Sequence, residues 1–415
     1  MTSRERVLAA LHHKQPDRIP VDFGGTTVTG MHVSCVTALR EHYGLDRHPV
    51  KVIEQMQMLG EIEEDLRLVL GIDVEAVARA RSKWGVPLDH WKQWRMPDGL
   101  EVLVPGEFNV TYDTNGDVLT YPQGDTSVGP SARMPNDGYF FDNIVRQGPI
   151  DDDTLKPEDN LEEFGAVPDA DFDDMRERAL ATRARGRAVI AAIGGTGFGD
   201  IANVPAPGLK DPKGVRDVAE WYMSTRSRKS FVAAVFEKQA EIALENLQRL
   251  NAKMGAEIDV IYLCGTDFGT QTSSFCSTAT FRELWTPPYK TLIDWIHSNT
   301  QWKVFKHSCG AVSKFIPSFI ELGMDILNPV QCSATGMEPR ELKRQFGDRI
   351  VFWGGGVDTQ TTLPFGTPEE VRAQVLERCS VLAEGGGYIF NAVHNVQART
   401  PLNNMIAMFD AVREL

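Results

Sequence analysis

Three residues far apart in this chain are of the types that bind a borderline-soft cation. His307 and Cys309 flank Ser308 at the end of the apolar run Val304-Phe305-Lys306, and His394 follows Tyr388-Ile389-Phe390-Asn391-Ala392-Val393. On a strand, residues two apart point the same way, so His307 and Cys309 can converge on one ion if the run before them is extended. With His394 as third ligand, one thiolate and two imidazoles would hold a zinc ion and leave its fourth position open, which marks a catalytic rather than a structural site. A His-x-Cys pair alone is more often a buried histidine beside a small buried thiol. What favours a metal is that each residue ends a strand-like run and precedes a turn containing Gly or Asn.

Other residues could support that chemistry. Asp267, in Gly265-Thr266-Asp267-Phe268-Gly269-Thr270-Gln271, is the candidate carboxylate for orienting a ligand histidine or exchanging a proton, and it suits a helix cap or Asx-turn equally well. Gln271 and Asp358 are candidate polar lining for a substrate, each also compatible with a structural role. Cys332, after Asn328-Pro329-Val330-Gln331, would replace His394 as third ligand if His394 were placed elsewhere; its plainer reading is a small buried thiol. The runs Gly194-Gly195-Thr196-Gly197 and Gly354-Gly355-Gly356 match neither a Walker A motif nor a dinucleotide fingerprint, and read as close backbone approach.

The elements that must position these residues alternate between β-rich runs and helical periodicity. Eight runs read as strands: 19–23, 72–77, 188–193, 260–264, 304–307, 326–328, 350–353 and 388–392. Helical stretches lie at 215–223, 231–254, 281–297 and 371–382, and Thr367-Pro368-Glu369-Glu370 combines an N-cap, a first-turn proline and a capping-box glutamate, a spacing repeated by Thr280 and Glu283. Eight strands with crossover helices predict an α/β fold, a (β/α)8 TIM-type barrel whose site is built at the C-terminal strand ends, where His307, Cys309 and His394 lie. Pro97-Asp98-Gly99 and Asn115-Gly116 predict a β-hairpin insertion after the second strand, at about residues 84–147, within a single domain spanning 1–415. The acidic segment 151–174 reads as a surface connection.

Composition narrows the function classes. The chain has 415 residues and 42% hydrophobic content, enough to bury a large core. A formal net charge of −14 disfavours a general nucleic-acid binder and attraction to anionic lipid. No apolar stretch reaches 18 residues, and the opening Thr2-Ser3-Arg4-Glu5 reads as a capped helix rather than an export signal. Six cysteines without a CxxC fit a reduced, cytoplasmic setting.

The chain resembles the uroporphyrinogen decarboxylase superfamily, which contains decarboxylases of porphyrin synthesis and zinc-dependent methyltransferases that work with corrinoid proteins. The resemblance is carried by Arg4-Glu5-Arg6-Val7 with Pro16-Asp17-Arg18-Ile19-Pro20-Val21, Phe281-Arg282-Glu283 with Pro288 and Lys290, and His307-Ser308-Cys309-Gly310. It continues in Gly323-Met324-Asp325-Ile326-Leu327-Asn328-Pro329, Gly354-Gly355-Gly356-Val357-Asp358, and His394-Asn395-Val396 with Thr400-Pro401 and Asn404. In the decarboxylases an arginine-rich segment after the first strand grips substrate carboxylates, whereas here Asp22-Phe23-Gly24-Gly25-Thr26-Thr27 follows and no arginine appears before Arg40. The methyltransferases use a His-x-Cys pair and a cysteine before a Thr-Pro-x-x-Asn element. His307 and Cys309 match the pair, while the third position carries His394, where the decarboxylases have a histidine that contacts substrate. The resemblance therefore places the chain closer to the methyltransferase branch than to true uroporphyrinogen decarboxylases.

Three functions are weighed on these grounds. The leading one is a zinc-dependent methyltransferase that moves a methyl group from a corrinoid-bound or methoxylated donor to a small acceptor, either a thiol or a tetrahydrofolate-type amine. A corrinoid protein would then be a partner, the substrate a small molecule, and a homodimer a compatible assembly. The second is a metal-free decarboxylase of a carboxylated, tetrapyrrole-like substrate, with His394 and Asp267 handling protons. The third is a non-catalytic module that binds a corrinoid or tetrapyrrole. Two imidazoles and one thiolate would leave zinc with a formal charge of about +1, a stronger Lewis acid than a His-Cys-Cys site.

Overall fold

In the computed structural model, which describes residues 1–415 apart from the side chain of Cys264, seven parallel strands form one curved sheet. In chain order they are Val74–Ala78, Ala188–Ala192, Val260–Cys264, Lys303–His307, Ile326–Asn328, Val351–Trp353 and Tyr388–Ile389, and each pairs with its sequence neighbour. Residues 19–23 occupy the remaining position and close the barrel. Phe390 N–H donates to Pro20 O (2.8 Å), Asp22 N–H to Phe390 O (2.9 Å), and Asp73 N–H to Val21 O (2.8 Å). All eight expected strand regions are therefore present, and the chain is a TIM-type barrel. Strand positions are numbered below from residues 19–23 as the first.

The strands read as continuous apolar runs because both faces are covered. Every second side chain points to the barrel axis: Val74, Ile190, Val260, Phe305, Ile326, Val351, Trp353 and Ile389 fill the interior with Val7, Ala10 and Leu11 of the first helix. That helix, Ser3–Leu11, starts at the expected capping box of Thr2 and Glu5, and it plugs the N-terminal end. Period 2 then fixes what stands at the opposite rim. His307 follows inward Phe305 by two residues, Asn328 follows Ile326, and Asn391 follows Ile389.

The Thr367–Glu370 capping box also forms, opening the helix Pro368–Leu382. The one expected from Thr280 and Glu283 does not. Ser277 is the N-cap instead, accepting from Thr280 N–H (3.0 Å), and the helical stretch is split into Thr278–Leu284 and Thr286–Asn299, with Pro287 and Pro288 near the start of the second helix. A proline lacks the amide needed to continue the preceding helix, so the apolar periodicity ran across a break. The acidic connection is likewise shorter than expected, because Asp169 and Asp171 sit in the first turn of the helix Asp169–Ala184, where carboxylates complement the dipole.

Between the second and third strands the chain folds into antiparallel β-structure. Lys92–Arg95 pairs with Glu101–Val104 across the Pro97-Asp98-Gly99 turn, and Val110–Tyr112 with Val118–Thr120 across Asn115-Gly116. Ala132–Met134 and Asp142–Asn143 extend the second pair to four strands. A further pair, Val52–Glu54 with Leu59–Gly60, had no turn signature in the sequence.

One buried carboxyl gives the barrel a pH dependence. Asp22 is fully buried; its Oδ1 accepts Gly25 N–H (2.8 Å) and its Oδ2 accepts Trp353 Nε1–H (2.8 Å). Burial outweighs these bonds and raises its pKa from 3.8 to about 6. The folded state therefore holds this proton more tightly than the unfolded chain, and the group's contribution to stability falls as pH rises from about 3.8 to about 6. The full change is roughly 3 kcal/mol. In denaturant titrations at pH 4 and pH 7, wild-type minus Asp22→Asn should show most of that loss on going to pH 7; a difference independent of pH would refute the assignment.

Candidate functional site

The fourth, fifth, sixth and eighth strands bring one cluster together at the C-terminal rim. The side chains of His307, Cys309 and His394 each offer a ligand atom within 4.8 Å of the others, the one such metal-competent group with three or more members among the described residues. His307 Nε2 lies 3.4 Å from Cys309 Sγ, and the two imidazole rings meet edge to face with centroids 5.4 Å apart. Zinc ligands on a tetrahedron stand roughly 3.3–3.8 Å apart for bonds of about 2.0–2.3 Å, so a small contraction would complete the set.

The protonation pattern follows from neighbouring groups. Asn328 Nδ2 donates to Trp353 O (2.9 Å), which leaves its Oδ1 to accept from His307 Nδ1–H (2.6 Å). The proton of neutral His307 is thereby held on Nδ1, and the Nε2 lone pair faces Cys309 and His394. Burial pulls both His307 and His394 down to about 3, so both rings are neutral at pH 7. The approach of His307 Nε2 to Asp267 Oδ1 at 3.9 Å is therefore not an ion pair. Burial also lifts the Cys309 thiol well above its usual range, with Asp267 adding to the effect. The donor set is thus two neutral imidazoles and a thiol that needs a cation to ionise.

The loop carrying Cys309 is fixed from three sides. Cys309 N–H donates to Asp267 Oδ1 (2.7 Å), Phe268 N–H to Ser308 Oγ (2.9 Å), and Gly310 N–H to Gln331 Oε1 (2.7 Å). Gly310 has φ +87°, and a Cβ there would fall 2.4 Å from the carbonyl of Gly269, so the His-x-Cys turn admits only glycine next. Lys306 alternates outward from the strand, fully buried, where its ammonium donates to Thr266 O (2.5 Å) and His307 O. It ties the segment bearing Asp267 to the fifth strand.

The remaining candidates are placed as follows. Asp267 stands beside the cluster; burial raises its pKa, only partly countered by Cys309 N–H and the Lys306 ammonium. Gln271 lies on an exposed loop, where its Nε2 donates to Gln360 Oε1 (2.8 Å). Asp358 Oδ1 accepts from Gln360 N–H, Thr361 N–H and the Thr361 hydroxyl, and so holds its own turn. The thiol of Cys332 turns to Val330 O (3.4 Å) and Gly355 O (3.7 Å) and is not part of the three-residue cluster. Asn328 and Lys306 were not singled out from the sequence. For Asn328 a signal existed, a polar residue ending an apolar strand two positions after an inward isoleucine.

Residues 211–415 match the family model described as Uroporphyrinogen decarboxylase (URO-D). A uroporphyrinogen decarboxylase from Psychromonas ingrahamii is 30% identical over 88 residues, 20% of this chain and 24% of that protein, so the chain spans about a quarter of that relative's length. A methyltransferase from Methanosarcina mazei superposes over 100% of this chain and 99% of its own with a TM-score of 0.55 at 14% identity, a likeness of fold. No helix among the described residues is long and apolar enough to cross a membrane.

Proposed function

Since residues 211–415 match the uroporphyrinogen decarboxylase family model, we propose that this protein is a zinc-dependent methyltransferase, moving a methyl group from a corrinoid-bound or methoxylated donor to a small acceptor. The observation that carries the reading is the convergence of His307, Cys309 and His394, with the tautomer of His307 set by Asn328. The donor set fits zinc: two neutral imidazoles and one thiol, with His307 buried and Cys309 and His394 half-buried at the rim. When bound there, zinc supplies a Lewis acid with a free coordination position, able to keep an acceptor sulfur ionised at neutral pH.

The chain's own residues prepare the site. Asn328 keeps the Nε2 lone pair of His307 directed at the cluster. Asp267 holds the backbone of Cys309 and, 3.9 Å from His307 Nε2, is the carboxylate beside the cluster to take up an acceptor's proton. Lys306 binds the carbonyls of Thr266 and His307, which limits relative motion between the strand and the Asp267 segment. Burial of both rings keeps them unprotonated across the physiological range, so no proton competes with a cation for their lone pairs.

The test is demethylation of free methylcobalamin by the zinc-loaded protein, followed by its absorbance, with a thiol in one arm and tetrahydrofolate in the other. Demethylation that requires zinc is expected in one arm. Carbon dioxide release from a carboxylated tetrapyrrole by metal-free protein, with no demethylation in either arm, would replace this reading with the decarboxylase.

A further inference from the structure

A cavity of about 250 Å³ lies between the insertion, the loop after the third strand and the helix Lys229–Met254. Phe164, Ile193 and Ile242 contribute apolar wall, and three charged residues line it: Arg79, Lys83 and Glu163. Two of these charges are answered locally. Arg79 pairs with Asp171 (2.8 Å) and Glu163 with Arg216 (2.7 Å). Lys83 makes no ion pair or hydrogen bond from its ammonium among the described residues, in a chain whose formal net charge is −14.

The backbone of Lys83 is held in place. Trp84 beside it is fully buried against Phe108 and Phe141, with ring centroids 6.0 and 5.4 Å away, and its carbonyl accepts Gln123 N–H (2.7 Å). Gly208 approaches so closely that a Cβ there would lie 2.9 Å from Lys83 O. The loop facing Lys83 also carries Asp200, whose Oδ2 stands 3.0 Å from where a Cβ on Gly265 would be, two residues before Asp267. The loop that lines the cavity therefore also approaches the segment bearing Asp267. Asp200 is built into the loop itself, with Oδ1 accepting Ala202 N–H (2.9 Å). Burial raises the pKa of Asp200, and the positive charge of Lys83 opposes part of that rise.

We infer that Lys83 and this cavity form a binding site for a small organic anion, an apolar body carrying a single carboxylate. A half-buried ammonium without an ion pair gains most from a carboxylate that brings apolar surface with it, because the pair forms where the dielectric is low and the body displaces water from apolar walls. The inference goes beyond methyl transfer and does not depend on the metal.

Calorimetric titration of the full chain with benzoate and with its neutral isostere benzamide tests it. Wild-type protein is expected to bind benzoate at least tenfold more tightly than benzamide. His307→Ala and Lys83→Arg should keep that preference, and Lys83→Gln should abolish it. Equal affinities in the wild type, no binding of either probe, or a preference that survives in folded Lys83→Gln would each overturn the inference. Loss of the preference in His307→Ala would also overturn it, by moving the anion to the metal-competent cluster. Should Lys83→Gln fail to fold, Lys83→Met carries the same comparison.

Discussion

The wild-type protein, purified without chelator, is expected to hold about one zinc ion per chain, and Cys309→Ala, His307→Ala and His394→Ala are each expected to lose it together with all demethylation activity. Removing one of three protein ligands removes an entire bond to the ion, so the affinity should fall by more than the roughly 10–100-fold seen for outer-shell partners. The barrel should survive these changes. The three residues sit at the rim, while the interior is filled by Val74, Ile190, Phe305, Ile326 and Ile389 beneath them. Elemental analysis and far-UV circular dichroism on the same samples separate the two effects. Stoichiometric zinc retained in all three folded variants would end the metal reading.

Replacing Asn328 by Leu should weaken zinc binding by about 10–100-fold while leaving all three ligands in place. Without the amide oxygen at 2.6 Å, the Nδ1–H of His307 has no acceptor in its buried surroundings, and the ring gains by moving its proton to Nε2, the atom that must face the ion. Asn328→Asp keeps an acceptor oxygen for His307 but gives up the donation to Trp353 O, so it should recover most of the affinity. Competition with a chromophoric chelator measures both variants. Equal zinc affinity in wild type and Asn328→Leu would show that the tautomer is set by some other group.

Much of this architecture is legible before any coordinates. The eight strand regions announce themselves as short apolar runs because strands covered on both faces have no polar side. The hairpins at Pro97-Asp98-Gly99 and Asn115-Gly116 are legible because their turns need residues that tolerate positive φ, and Gly99 at +91° and Gly116 at +83° adopt it. Helix starts are less secure. Thr280 and Glu283 have the spacing of a capping box, yet Ser277 three residues earlier takes the cap, since a local motif does not reveal which of two nearby oxygens the backbone will reach.

By itself the sequence determined the barrel and the inward direction of His307, through apolar runs and the two-residue period that carries Phe305 inward and His307 with it. It also marked the rim as the place where Cys309 and His394 would stand. Only the tertiary structure decided that His394, rather than Cys332, shares the cluster, because that depends on how loops from the fifth, sixth and eighth strands turn after leaving the sheet. The same holds for Asn328 as the partner of His307, 21 residues away in sequence, and for Lys83 at the cavity, 117 residues from Asp200. Local patterning encodes direction within an element; distances between elements arise when packing closes the barrel.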